Sequence, residues 1–80
     1  EINPGCIFLV VGHTADVGLP KNQQQLSHQR AHAVTQEMIE RGISAERLLY
    51  EGRGAKEPIG NNKTAEGRAK NRRVEVYIIE

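Results

Sequence analysis

Eighty residues suffice for one domain and no more, because independent hydrophobic cores rarely form below about 50 residues each. With 38% hydrophobic residues and no apolar run near the roughly 18 that a membrane span needs, the composition excludes a disordered tail and an integral membrane segment. Eleven basic against ten acidic side chains leave +1, so no overall field marks the chain for nucleic acid, and the single Cys6 excludes a framework of internal disulfides.

The first residues, Glu1-Ile2-Asn3-Pro4-Gly5, carry the Asn-Pro-Gly punctuation of a turn, and the start at Glu1 shows no signal peptide or lipidation motif. This start reads as that of an excised or processed piece. Cys6 to Val11 is a continuous apolar run rich in β-branched residues, which predicts a strand over residues 6–12. Its lack of alternation predicts a central place in a sheet, covered on both faces or nearly so. Residues 12–21, with Gly12, Gly18 and Pro20, form the expected loop at the carboxyl end of that strand, where ligands collect in open α/β sheets.

Residues 22–41 contain neither Gly nor Pro. Projected at about 100° per residue, Ala31, Val34 and Met38 fall on one stripe, with Leu26 and Ile39 at its margins, which predicts an amphipathic helix. Asn22 is the expected N-cap and Gly42 the closing glycine, while Glu37 and Arg41 stand at a supportive i, i+4 spacing. A short Ser44-Ala45-Glu46 connection leads to a second strand at Leu48 to Glu51, completing a right-handed βαβ crossover.

Residues 52–63 hold three glycines, Pro58 and the Asn61-Asn62 pair, and read as a long loop. A short helix is expected from Thr64 to Lys70, weakened by Gly67. The last segment alternates, with Val74, Val76 and Ile78 on one face and Arg73, Glu75 and Tyr77 on the other, which predicts a half-buried strand antiparallel to the first. The expected fold is therefore α/β in two layers: a βαβ unit plus one antiparallel strand, giving a mixed three-stranded sheet with a long helix on one face.

His28 and His32 stand one helical turn apart, as zinc ligands can, with Cys6 and His13 as conceivable additions. They project away from the apolar stripe and lack an intervening Glu, so the pair reads as a solvated helix face and no metal or other cofactor is expected. Cys6 reads as a small buried hydrophobe. Gly52-Arg53-Gly54 and Gly60-Asn61-Asn62-Lys63-Thr64 lack the full glycine pattern of phosphate loops and read as turns. The basic cluster Arg68, Lys70, Arg72 and Arg73 has only Tyr77 near it among aromatics, too few for a single-strand stacking platform, so no nucleic-acid partner is expected. No nucleophile has a recognisable base and no carboxylate pair suits acid and base work, which argues against an enzyme.

Strand parity separates the two adjacent arginines: Arg72 shares the helix-side face of Val74, Val76 and Ile78, whereas Arg73 points the other way. Arg30 lies early in the long helix, just beyond the loop carrying Thr14 and Asp16. A carboxylate and two guanidiniums can thus converge at one rim of the sheet. Guanidinium forks grip carboxylates and a carboxylate grips ammonium, so the set suits a zwitterionic amino-acid group better than a phosphate. A structural network of Asp16 and the arginines is the competing reading.

Gly12-His13-Thr14, Leu26-Ser27 followed by Arg30-Ala31, Pro58-Ile59, Asn62-Lys63-Thr64, Glu66-Gly67-Arg68-Ala69 and Asn71-Arg72-Arg73-Val74-Glu75 closely resemble the OmpA-like domain family. The match runs in order through nearly all of residues 7–79. The resemblance implies a periplasmic, non-enzymatic domain that binds peptidoglycan without covalent bonds. It holds the diaminopimelate of the stem peptide and so anchors an outer-membrane or other cell-envelope protein to the cell wall. By resemblance, Arg30 and Arg72 contact that zwitterion. The chain departs from the family pattern at Ala15, where Asp usually follows Gly-His-Thr, and at Gln23, where the family has Asn; Asp16 and Asn22 are each displaced by one. The expected ligand-binding set is Thr14, Ala15, Asp16, Asn22, Gln23, Arg30 and Arg72. The alternative is an OmpA-like scaffold or interaction module that no longer binds peptidoglycan. Because the family domain is longer, residues 1–80 are expected to be a fragment lacking its N-terminal strand and early helices.

Overall fold

A computed structural model of the chain describes residues 6–79; the turn expected at Glu1 to Gly5 lies outside the described residues. The β-branched apolar run forms strand β1 (Ile7–Gly12), followed by helix α1 (Pro20–Glu40), a single 3₁₀ turn (Ala45–Arg47) and strand β2 (Leu48–Gly52). Helix α2 (Ala65–Asn71) and strand β3 (Val74–Ile79) complete the order. The sheet is mixed, ordered β2-β1-β3, with β1 parallel to β2 and antiparallel to β3. Val10 stands opposite Tyr50 on one side and Val76 on the other, which fixes the register and puts β1 at the centre. This is the expected α/β arrangement.

The ends of α1 differ from expectation at the start and agree at the finish. Leu19 is the N-cap and makes no side-chain bond, while Pro20 opens the helix. Proline suits that position because its missing N–H has no intrahelical partner there and its φ is already helical. Asn22, expected as the cap, lies inside the first turn, where its N–H donates to the Leu19 carbonyl at 3.0 Å. At the other end Arg41 is the C-cap and Gly42 follows with φ +105°, a conformation that an L side chain adopts at a cost.

The buried face of α1 follows the expected stripe at Ala31, Val34 and Met38 but also takes in polar residues. Gln23, Ser27, Ala31 and Thr35 are buried, Val34, Met38 and Ile39 pack half-buried against the core, and Leu26 is 41% exposed. Polar residues can face the sheet because the helix backbone sits almost on it: a Cβ at Gly12 would lie 2.0 Å from the Ser27 carbonyl oxygen. No large side chain enters that gap. The buried hydroxyls of α1 are satisfied, since Ser27 Oγ donates to the Gln24 carbonyl at 2.8 Å and accepts from the Gly54 N–H at 2.9 Å, and Thr35 Oγ1 donates to the Ala31 carbonyl at 2.8 Å.

Phe8, Val10, Ala31 and Leu48 form the core between α1 and the sheet. The helix lies over β1 and β2 and reaches β3 only marginally. Val74 packs on the core, yet Val76 and Ile78, expected to be half-buried, are 47% and 59% exposed. On the opposite face Ile7 and Leu9 stay half-buried beside exposed Leu49 and Tyr77, so β1 is fully covered on one face only. Gly67 does more than weaken α2: a Cβ there would meet the Asn61 carbonyl oxygen at 1.9 Å, so glycine lets the helix touch the preceding loop.

Candidate functional site

The loop after β1 is fastened at its root to both neighbouring chain segments. The His13 N–H donates to the Arg73 carbonyl at 2.8 Å and the Thr14 N–H to the Gly54 carbonyl at 2.9 Å. These bonds hold Thr14 and Ala15 at the carboxyl rim of the sheet, both buried at 4% and 5% exposure. From the other side, α1 brings Arg30 to the same rim, with Nη1 3.4 Å from the His13 carbonyl oxygen. The link between α2 and β3 brings Arg72.

A pocket of about 250 Å³ opens between them, with Thr14, Ala15, Arg30 and Arg72 in its wall. Asn22, Gln23, Val17 and Leu26 complete the lining. Six of the seven residues selected from the sequence therefore share one cavity. Val17 and Leu26 were not among them; Leu26, at the margin of the apolar stripe, is left exposed. The Arg72 side chain is exposed and makes no hydrogen bond or ion pair among the described residues. Thr14 Oγ1 is buried without a partner, and a buried hydroxyl left in that state invites a water or ligand group.

Asp16 is not with them. Its carboxylate Oδ1 accepts from Gln23 Nε2 at 3.1 Å, and its N–H donates to Asn62 Oδ1 at 3.1 Å. It faces a neighbouring groove that also contains Lys21 and Lys56. Asn62 is held in turn by the fully buried Asn71, whose Nδ2 donates to Asn62 Oδ1 at 2.7 Å. The same Asn71 accepts from the N–H groups of Ile59 and Gly60 at 2.7 and 2.8 Å and donates to the Gly60 carbonyl at 3.0 Å. Sequence reasoning did not single out this anchor; its only signal was its place in the Asn71-Arg72-Arg73 motif.

The model of the OmpA family matches residues 3–72 of the chain. The chain belongs to the OmpA family. It is 44% identical over 72 residues to outer membrane protein A of Bordetella avium, covering 90% of this chain and 37% of that protein. It is 37% identical over 75 residues to the peptidoglycan-binding protein ArfA of Mycobacterium tuberculosis, covering 94% of this chain and 23% of that one. The chain thus spans well under half the length of these curated relatives. Among solved structures, the C-terminal domain of Helicobacter pylori MotB superposes with a TM-score of 0.88 at 32% identity, over 95% of this chain and 59% of that one.

In this OmpA-family chain the second arginine of the pair serves the framework. Arg73 Nε donates to Glu75 Oε2 at 2.7 Å and Nη2 to the Glu57 carbonyl at 2.9 Å. His13, 1% exposed, places Nε2 3.2 Å from Glu75 Oε1, and Tyr77 donates its hydroxyl to the same oxygen. The Tyr77 hydrogen bond first, then the Arg73 guanidinium, hold the Glu75 carboxyl at about 2, below its ordinary 4.5, and the same bond raises the Tyr77 phenol. A carboxylate depressed by folding contributes stability above its ordinary value and loses it as the folded value is crossed downward. The urea midpoint is therefore expected to fall between pH 4.5 and about 2, and Glu75→Gln to flatten that fall. An unchanged slope in the variant would remove Glu75 from the acid response.

His28 and His32 pack their rings on Tyr50, with centroids 5.2 and 5.1 Å away. Cys6 is buried at 8% exposure. Among the described residues no group of three or more His, Cys, Asp or Glu is placed to hold a metal, and no helix is long and apolar enough to cross a membrane.

Proposed function

We propose that this chain binds peptidoglycan non-covalently, with the pocket between the β1 loop and α1 receiving the diaminopimelate of a stem peptide. The observation that carries the reading is the presence of two guanidiniums, Arg30 and Arg72, in the wall of one pocket beside the unpartnered Thr14 hydroxyl. Planar guanidinium forks match carboxylate geometry with paired hydrogen bonds, and a half-open pocket leaves room for the peptide to enter from outside. The kinship with a relative named as a peptidoglycan-binding protein supports the same ligand. The role is adhesive and not catalytic: a periplasmic module that ties an outer-membrane-associated protein to the wall.

Retention on purified sacculi tests this directly. Wild-type protein is expected in the sacculus pellet, and Arg30→Lys, which keeps the charge and loses the fork, is expected to bind about 1 to 3 kcal/mol more weakly. Arg72→Ala is expected to weaken binding strongly, while Arg73→Ala leaves it nearly unchanged and lowers stability instead. The reverse order for the two arginines would displace the ligand from this pocket. One observation favours the second reading, an OmpA-family scaffold without the ligand: Asp16 is tied outside the pocket. Complete absence of the wild type from the pellet would establish that reading over the first.

A further inference from the structure

We infer that this pocket reads the carboxylate of its ligand and leaves the ligand's ammonium unread, so it accepts a stem peptide whose side-chain amine has been acylated as readily as one whose amine is free. The inference rests on the proposed peptidoglycan reading and narrows the ligand class. The pocket wall contains Arg30 and Arg72 and no acidic side chain. At the place where an acid would complete a zwitterion site stands Ala15, buried and facing the cavity with a methyl group.

The nearest acid is engaged outside the pocket. Asp16 is restrained twice, by Gln23 Nε2 on its carboxylate and by Asn62 Oδ1 on its N–H. Gln23 is itself buried at 6% exposure and spends its amide group on Asp16 and on the Gly18 carbonyl at 3.2 Å. Swinging the Asp16 carboxylate into the pocket would break its bond from Gln23 Nε2. The groove that Asp16 does face holds Lys21 and Lys56, whose like charge opposes an approaching ammonium. Inside the pocket an ammonium would meet two guanidiniums and no charged acceptor, only neutral side-chain oxygens such as those of Asn22 and Gln23. A carboxylate meets two forks. When a diaminopimelate stem is cross-linked through its side-chain amine, that nitrogen becomes an uncharged amide while the adjacent carboxylate stays free. A pocket of this composition has no means of telling the two states apart.

Calorimetric or NMR titration of the wild-type chain with three small probes decides the matter: meso-diaminopimelate, pimelate (the same diacid without amines) and 1,5-diaminopentane (the amines without acids). The two diacids are expected to bind within about threefold of each other and the diamine not to saturate; Ala15→Asp is expected to favour diaminopimelate over pimelate by about tenfold, the worth of one added charged hydrogen bond. Ala15 is buried, so the variant is first checked for folding by circular dichroism, and the wild-type comparison stands without it. A preference of about tenfold or more for diaminopimelate in the wild type would overturn the inference, because some acid would then be reaching the ammonium. Failure of both diacids to bind while sacculi still retain the chain would also overturn it and leave the peptidoglycan reading standing. Failure of both together with loss of sacculus binding would sink the two at once.

Discussion

Asn71→Leu is expected to lower the unfolding free energy by about 2 to 4 kcal/mol, although the side chains are close in volume, because four hydrogen bonds end on the Asn71 amide. The substitution leaves the N–H groups of Ile59 and Gly60 without an acceptor, and each unsatisfied group costs about 1 to 3 kcal/mol where water cannot replace the partner. It also removes the donor to Asn62, whose Oδ1 accepts from the Asp16 N–H. The effect should therefore reach the ligand loop, 46 residues from Asn62 along the chain. Amide hydrogen exchange at Asp16 is expected to accelerate in the variant, and the urea midpoint to fall. Asn71→Asp separates the two roles of the amide: it keeps an acceptor for Ile59 and Gly60 but aims a carboxylate at the oxygens of Gly60 and Asn62. An unchanged midpoint in Asn71→Leu would show that the loop is held by other contacts.

The contrast between what the sequence announced and what it hid has a physical basis. Strands β1, β2 and β3 and helix α1 were legible because apolar spacing reports backbone periodicity; Arg72 and Arg73, expected to be separated by strand alternation, lie instead between α2 and β3, with Arg72 as the C-cap of α2. The start of α1 was misplaced because proline was taken as a loop residue, when its missing N–H suits a first turn. The polar residues on the buried face of α1 were missed for a different reason. Hydrophobic patterning counts large apolar side chains, whereas the contact of Ser27 with Gly12 is made by backbone, so Gln23, Ser27 and Thr35 could be buried at little cost. The exposure of Val76 and Ile78 depended on where α1 settled across the sheet, which alternation within β3 does not encode. Arg30 and Arg72 share the pocket because α1 carries the one and the C-cap of α2 the other. Asp16 did not join them, since its carboxylate is bonded by Gln23 and its N–H by Asn62, a partner that no local pattern identifies.

Gly12→Ala is expected to damage both the fold and the site. The added Cβ would stand 2.0 Å from the Ser27 carbonyl oxygen, 2.9 Å from the Ser27 carbonyl carbon and 3.2 Å from the Ala31 nitrogen, all of them backbone atoms of α1. No rotamer change relieves such a clash, so the helix must retreat by about 1 Å, opening the close-packed core that it forms with Phe8, Val10 and Leu48. Overpacking of this kind costs typically about 1 to 3 kcal/mol and more where backbone must move, and so small a domain has little stability to lose. The retreat would also carry Arg30 and Gln23 away from Thr14, so ligand affinity is expected to fall together with stability. Gly42→Ala supplies the control: it meets no atom within 4 Å but sits at φ +105°, so it is expected to lose only about 1 kcal/mol and to keep full binding. Thermal melts and sacculus binding on the two variants measure both effects. If Gly12→Ala melted with Gly42→Ala and bound as well, the close seat of α1 on the sheet could not be what brings the two sides of the pocket together.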